Sequence, residues 1–324
     1  MHFVIVGCGA VGGYFGGRLA QHGEKVTFIA RGQQLKTLQE SGLNIESIEG
    51  DVHLPSIDVE NAENLNSDSL SAPADVIFLC VKSYQLADAI VQIKSLISEQ
   101  TRVIPLLNGV NVAEVMKEHG ILLENIFGGL AKIIAVKNTD GTIIHSGAKP
   151  HITLGAFACN DTKIENDDLK AVEAKQLSEI AKRLKLAGIS VGVTSDIHLA
   201  LWRKFIFVAA WGALASARKF NLGEIRSQSH IEFLLERIVI EYAEIARKIG
   251  VQLSDKHIKE TMTFLSRLPG SSETSMQRDI ATGQQSEFDI LVAYPMKLVK
   301  ELNISAPVLT QCYQKLIEIM SEKR

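Results

Sequence analysis

A glycine-rich turn near the start of the chain has the residue types and the spacing needed to bind phosphate. It comprises Gly7, Cys8, Gly9, Ala10, Val11 and Gly12. The apolar run HFVIVG predicts a strand before it, and AVGGYFGGRLAQHG predicts a helix after it. In such a G-x-G-x-x-G turn the first glycine permits the bend, the second lets the backbone approach a pyrophosphate, and the third lets the helix pack against the sheet. A glycine-rich turn without a ligand is the alternative, but the position inside a βαβ unit favours a dinucleotide.

The residue that ends the next predicted strand indicates which dinucleotide is bound. The run KVTFIA is followed by Arg31, where NAD-binding sheets usually carry an acidic residue that accepts from the ribose 2′-hydroxyl. A guanidinium can instead pair with a 2′-phosphate. An arginine that only caps the strand in solvent is the alternative. We therefore predict NADP(H) as the cofactor.

Two further polar residues end predicted strands, at the edge of a parallel sheet where cofactors bind. Lys82 follows the apolar run VIFLCV, and Asn108 follows RVIPLL. A lysine can pair with phosphate, and an asparagine can present its amide to a nicotinamide or a substrate. Taken alone, either residue is more often an ordinary loop residue. We predict both as cofactor-binding, and Asn108 also as substrate-binding.

A lysine also stands in a strongly apolar helical segment, LALWRKFIFVAAWGALASA. Helical spacing puts Lys204 on one face with Val208 and Gly212. A lysine on such a face either extends its ammonium to solvent or takes part in chemistry. The periodicity alone leaves both interpretations open.

The elements that position these residues fall into two groups, which together predict an α/β Rossmann-like N-terminal domain followed by an all-α C-terminal domain. The first half alternates strand-like and helix-like runs, typical of a parallel sheet with helices on both faces. Alternation and an Asp140-Gly141 turn signal predict antiparallel strands between residues 125 and 157. We predict domains at 1–196 and 197–324, with a cleft between them as a ligand site. The predicted helices of the second domain are 197–219, 230–249, 254–266, 272–282, 286–302 and 306–322.

Composition narrows the class of protein. The 324 residues carry a net charge of −3 and 46% hydrophobic residues, which argues against a nucleic-acid partner. No signal segment is evident and no apolar run approaches ~18 residues, so we expect no membrane span and a cytoplasmic location. The four cysteines, which form no C-x-x-C pair, are predicted to be reduced and structural, and we expect no metal. They are Cys8, Cys80, Cys159 and Cys312.

The motifs taken together resemble the ketopantoate reductase (2-dehydropantoate 2-reductase) family. They are GCGAVG with the arginine after the second strand, VKSYQ, LLNGV, GTIIHSG, LWRKF and SMQRDIATGQQSEFD. The resemblance covers essentially the whole chain, with the motifs in the family's order and spacing. It implies NADPH-dependent reduction of a 2-keto acid to its 2-hydroxy acid, namely ketopantoate to pantoate in pantothenate biosynthesis. The expected partner is thus a small 2-keto acid, and the oligomeric state is left open, a homodimer included.

The resemblance also implies roles for single residues. The family's general-acid lysine matches Lys204, and its carboxylate matches Glu287. Its substrate-binding serine matches Ser275, and its strand-end asparagine matches Asn108. A ketone that accepts hydride develops charge on oxygen, which an ammonium stabilises and then protonates. We therefore predict the lysine and the glutamate as catalytic residues.

Several polar positions of the family differ in this chain. Asparagines one and two turns after the lysine are replaced by Val208 and Gly212, which we predict to line the substrate pocket, the glycine opening space. Two more are replaced by Leu222, with Asn221 beside it, and by Ser272. An Asn-Gly beyond the glutamate is also absent. These changes bear on the identity of the 2-keto acid, because a substrate hydroxyl would lose its partners unless the neighbouring polar residues or water supply them.

Three alternative functions remain at this level. One is reduction of a more apolar 2-keto acid. Another is a different NADP-linked dehydrogenase, of the 3-hydroxyacid or 6-phosphogluconate type, against which LWRKF and the serine–glutamate spacing argue. The last is an NADP-binding paralogue without catalysis, against which the retained lysine, serine and glutamate argue.

Overall fold

A computed structural model describes residues 1–66, 68–70, 73–157 and 167–322, so Cys159 lies outside the described residues. The chain forms two compact units. Unit 1 comprises Met1–Leu107 and Asn111–Ile197, and unit 2 comprises Asn108–Val110 and His198–Arg324.

The strands lie in unit 1. They are β1 (His2–Val6), β2 (Lys25–Ala30), β3 (Leu43–Ser47), β4 (Val52–Leu54), β5 (Asp58–Asn61), β6 (Val76–Leu79), β7 (Arg102–Pro105), β8 (Phe127–Lys137), β9 (Ile143–Ala156) and β10 (Ser190–Val193). The helices of this unit are α1 (Ala10–Gln21), α2 (Gly32–Ser41), α3 (Leu86–Ile93), α4 (Val112–Glu118) and α5 (Asp167–Leu186).

The first sheet of unit 1 is parallel and has the strand order β5-β2-β1-β6-β7. Its central strand β1 is buried along its whole length, as expected for a continuous apolar run. The predicted parallel sheet is thus confirmed. The second sheet has the order β10-β9-β3-β4, with β8 antiparallel to β9, which confirms the predicted antiparallel pair. The pairing of β9 with β3 and β10 in parallel was not predicted.

Helix α1 lies against both sheets, and its glycines are the reason that it can. A Cβ at Gly16 would stand 2.6 Å from the ring of Phe28 in the first sheet. A Cβ at Gly13 would stand 2.2 Å from Ile143, and one at Gly17 2.6 Å from Ile45, both in the second sheet. Interiors are close-packed, so no larger residue fits at these three positions without displacing a neighbour. The many glycines of this helix therefore serve packing as well as the turn before it.

Unit 2 is helical. Its helices are α6 (Ile197–Arg218), which begins on the last residue of unit 1, α7 (Leu222–Arg226), α8 (Ser229–Lys248), α9 (Asp255–Arg267), α10 (Ser275–Ala281), α11 (Tyr294–Glu301) and α12 (Pro307–Ser321). The predicted helical segments are confirmed, and α7 is an additional short helix.

The predicted helix at 286–302 begins with a π-helical turn, Asp289–Ala293. Pro295 has no N–H to give the carbonyl of Leu291, and the fully buried phenol of Tyr242 donates to that carbonyl at 2.8 Å instead. Burial raises the pKa of this phenol, so it stays protonated and remains a donor. The carbonyl of Leu291 in the π-helical turn therefore has a hydrogen-bond donor even though Pro295 cannot supply one.

Helix α6 is the one described helix that is long and apolar enough to cross a membrane, judged by length and composition alone. Of its most apolar 18-residue window, 56% is buried inside the structure. Core helices of folded domains pass the same test, so this finding is weak evidence for a span.

The three described cysteines, Cys8, Cys80 and Cys312, are free. Burial raises the pKa of Cys8 and of Cys312 to about 12 each. It raises the pKa of Cys80 further. These thiols therefore carry little thiolate at neutral pH and lack the nucleophilic form of cysteine.

Candidate active site

The glycine turn has a shape that admits a phosphate backbone. Gly7 takes a φ of +92°, which favours glycine, and its N–H donates to Ile29 O at 3.2 Å. A Cβ at Gly12 would lie 2.2 Å from the carbonyl oxygen of Gly7. A Cβ at Gly9, by contrast, would meet nothing within 4 Å. The open side of the turn is therefore at Gly9, which caps the N-terminus of α1, and this geometry fits a pyrophosphate.

Replacing Gly9 with alanine tests this fit. The methyl group enters open space, so we expect unchanged stability but NADPH affinity reduced about tenfold or more, or about 1.4 kcal/mol. Gly12→Ala is the matched comparison, because its methyl meets backbone and should lower the free energy of unfolding as well. Cofactor titration and urea denaturation of both variants separate the two effects. Normal NADPH binding by Gly9→Ala would contradict a phosphate site at this turn.

Arg31 is exposed and caps the N-terminus of α2 directly after β2. The amide Nε2 of Gln34, in the first turn of the same helix, donates to the carbonyl of Cys8 in the glycine turn. This contact ties the helix that follows Arg31 to the turn. Sequence analysis did not single out Gln34, and its position in α2 offers no signal that would distinguish it from its neighbour Gln33.

Lys82 is partly exposed and follows β6, the neighbour of β1 in the parallel sheet. Its backbone N–H donates to Gln85 Oε1 at 3.3 Å, which closes a short 3₁₀ turn. Because the strands are parallel, Lys82, Arg31 and the glycine turn all follow the carboxyl ends of strands on one edge of the sheet.

The central polar contact of unit 2 joins Asn108 to Glu287. The amide Nδ2 donates to Glu287 Oε2 at 3.2 Å, across 179 residues of sequence. Glu287 is only 4% exposed and immediately precedes the helical turn that becomes the π segment. A buried carboxylate is costly unless it is hydrogen-bonded, so this amide is part of what holds the charge in place.

Lys204 lies on α6 and is partly exposed, as is Val208 one turn further on. Gly212 is covered, because a Cβ there would stand 3.3 Å from Met276 Cε and 3.5 Å from Thr274 Oγ1. The expectation that this glycine opens space is therefore wrong. Its missing side chain lets the first turn of α10 approach α6, and that approach fills the volume.

Ser275 is partly exposed and opens α10 between Thr274 and Met276, the two residues that cover position 212. The helix is capped by Thr274, whose Oγ1 accepts from the N–H of Gln277 at 3.1 Å. Ser275 therefore stands at the contact between α10 and α6.

Asn221 and Ser272, which could replace the missing amides, both make hydrogen bonds at the start of α7. Asn221 caps α7 through its Oδ1, which accepts from the N–H of Glu224 at 2.9 Å, and the Glu224 carboxylate accepts from Asn221 N at 2.7 Å. Leu222 is fully buried, and its N–H donates to Ser272 O at 3.2 Å. The carboxamide oxygen of Asn221 is thus committed to helix capping.

A parallel sheet with an open glycine turn and a basic residue after its second strand defines a dinucleotide-binding protein of Rossmann type. Comparison with protein families then narrows this class. The model "Ketopantoate reductase PanE/ApbA" matches residues 3–158, and "Ketopantoate reductase PanE/ApbA C terminal" matches residues 196–319. The chain belongs to the ketopantoate reductase PanE/ApbA family. It is an oxidoreductase of that type and takes a nicotinamide cofactor.

Individual relatives agree over the full length. The chain is 28% identical over 323 residues to the "Uncharacterized oxidoreductase YkpB" of Bacillus subtilis, covering 100% of both chains. It is 26% identical to a "2-dehydropantoate 2-reductase" of Nostoc sp., covering 97% of this chain and 93% of that one. A solved structure of D-mandelate dehydrogenase with NADH and anilino(oxo)acetate has the same fold, with a TM-score of 0.86, 22% identity and coverage of 100% and 99%.

Proposed function

We propose that the chain catalyses the NADPH-dependent reduction of 2-dehydropantoate to pantoate. The observation that carries this proposal is the hydrogen bond from the partly exposed Asn108 to the buried Glu287, in the same unit as Lys204. Membership of the family and the naming of the Nostoc relative support the substrate.

The residues of unit 2 supply charge stabilisation and a proton. The ammonium of Lys204 stabilises the negative charge that develops on the carbonyl oxygen, and then protonates that oxygen. A bound nicotinamide cofactor supplies the hydride for this reaction. The carboxylate of Glu287 accepts from the amide of Asn108 and so orients it.

Asn108 and Ser275 position the substrate. The bond to Glu287 uses one amide hydrogen of Asn108, and among the described residues its Oδ1 and second N–H stay available to a ligand. The hydroxyl of Ser275 can donate to the substrate carboxylate. Both side chains are partly exposed, which leaves them accessible to a ligand.

A second candidate substrate is a more apolar 2-keto acid. Val208 has no polar atom, and Gly212 is covered by the thioether of Met276 and by Thr274. An unpaired polar group in a buried site costs about 1–3 kcal/mol, so a wall of this composition favours a substrate without a hydroxyl there.

NADPH oxidation with a panel of 2-keto acids tests the proposed function, and absence of turnover with every member would refute it.

We expect NADPH to bind more tightly than NADH. Arg31→Ala removes a charge-assisted contact to the 2′-phosphate, so NADPH affinity should fall by about 1.5–3 kcal/mol, while NADH affinity should change little. Arg31 is exposed, and its side chain makes no described contact that stabilises the fold. Titration of both cofactors against wild type and variant measures the difference. Equal affinity of the wild type for NADPH and NADH would contradict the assignment.

A further inference from the structure

Helix α6 holds a buried donor whose hydrogen-bonding capacity the described part of the chain does not use. Trp211 is 6% exposed, and its indole Nε1 is buried with no partner among the described residues. A buried donor without an acceptor is costly, and such groups are rare in folded proteins. The site therefore calls for an acceptor that the described residues do not provide.

Trp211 shares helix α6 with Lys204, the residue proposed to act on the substrate. It follows Lys204 by seven residues on α6, which returns it to within about 20° of the same helix face. Large helical side chains lean toward the preceding turn. The ring contact with Phe207, at 5.8 Å between centroids, agrees with that direction. The indole therefore lies along the turn of α6 that precedes Trp211.

The contact between α6 and α10 places a second donor, Ser275, near the position that follows Trp211. Gly212, the neighbour of Trp211, faces Met276 and Thr274, and Ser275 lies between those two residues. Two other buried atoms on these two helices also lack described partners, Ser216 Oγ on α6 and Gln277 Oε1 on α10. Gln277 donates through Nε2 to Phe220 O, at the far end of α6 from Lys204. Trp211 is the one of the three that shares the face of the lysine.

We propose that the indole N–H of Trp211 binds the carboxylate of the 2-keto acid, beside the hydroxyl of Ser275. This proposal rests on the proposed function. An indole nitrogen donates and does not accept, so its ligand must be an acceptor. In a 2-keto acid the keto oxygen belongs to Lys204, and the remaining acceptor that every member of the class carries is the carboxylate. Trp211 is then a substrate-binding residue that acts in binding rather than in proton transfer.

The test removes the N–H and keeps the ring. Trp211→Phe is titrated with ketopantoate and other 2-keto acids as the enzyme–NADP⁺ complex, by calorimetry, alongside steady-state kinetics. We expect the affinity for 2-keto acids to fall about tenfold or more and KM to rise with a smaller change in kcat, while NADP⁺ affinity stays the same. A ketone with an alkyl group in place of the carboxylate has no acceptor at that position, so it should bind wild type and variant alike.

Trp202→Phe is the matched control. Trp202 lies on α6 about 180° from Trp211 and packs edge-on against Phe205 at 5.3 Å. It should leave 2-keto acid affinity unchanged. Benzothienylalanine at position 211, which replaces N–H with sulfur in the same ring shape, serves if the phenylalanine variant is unstable. Retained affinity in either Trp211 variant would overturn the proposal and point to an ordered water as the partner of the indole. Equal losses in the Trp202 control would also overturn it, because they would show a general effect of altering α6.

The outcome also separates this proposal from the function on which it rests. If wild type binds and reduces 2-keto acids but Trp211→Phe does so equally well, the function stands and the role of Trp211 is refuted. If wild type neither binds nor reduces any 2-keto acid, the proposed function is refuted, and the role of Trp211 falls with it.

Discussion

Lys204→Ala is expected to lower kcat about a hundredfold or more and to leave NADPH affinity nearly unchanged. The physical reason is that the ammonium both stabilises the developing alkoxide and delivers the proton, and no neighbour on its face of α6 is ionisable. Val208 follows on that face, one turn away. Stopped-flow measurement of NADPH oxidation, with cofactor titration in parallel, gives the two quantities separately.

Arg203→Ala provides the control for Lys204→Ala. Arg203 is the adjacent cation on α6, but it is 48% exposed and pairs with Glu260 at 2.7 Å on the surface. Exposed ion pairs contribute little, so kcat and stability should barely change. Near-normal turnover of Lys204→Ala would show that the lysine only extends to solvent.

Glu287→Ala should reduce both kcat and 2-keto acid affinity, because Asn108 then loses the acceptor that orients its amide.

The identity of the substrate gives the second large effect. If the chain is a ketopantoate reductase in the strict sense, kcat/KM for ketopantoate should exceed that for its analogue without the hydroxyl by orders of magnitude, because a site built to bind a hydroxyl rejects the analogue that lacks one. The measurement compares these two compounds and larger branched 2-keto acids under the same conditions.

The residues at positions 208 and 212 determine how a preference for ketopantoate would be interpreted. Val208 and the covered Gly212 offer no amide to a hydroxyl, so preference for ketopantoate would have to come from other donors or from ordered water. A ratio near one would show that the enzyme does not recognise the hydroxyl. The second candidate, a more apolar 2-keto acid, would then replace ketopantoate.

Features that depend on residues close together in the chain could be predicted from sequence. The glycine turn and Arg31 belong to one βαβ unit, and apolar periodicity predicted the helices of unit 2 near their observed bounds. Turn chemistry at Asp140-Gly141 predicted the β8–β9 pair. Each of these signals is local, since turn conformation, strand burial and helical amphipathicity are set within a few residues.

Contacts between residues that are distant in the sequence were decided only by the tertiary structure. Asn108 and Glu287 meet across 179 residues, and nothing in the spacing of either residue indicates the other. The same holds for the donation from Gln34 to Cys8. Such contacts depend on which faces of the elements pack, and a residue type by itself carries no information about its distant partner.

Gly212 and Trp211 show most clearly where sequence reasoning ends. The amino-acid sequence by itself determined that position 212 lacks an amide and that a tryptophan precedes it. Only the packing of α10 on α6 decided that Met276 and Thr274 fill the volume at the glycine, and only the fold left the buried indole without a described partner. The physical reason is that an absent side chain creates space only if its neighbours stay away, and a donor lacks an acceptor only once every surrounding element is in place.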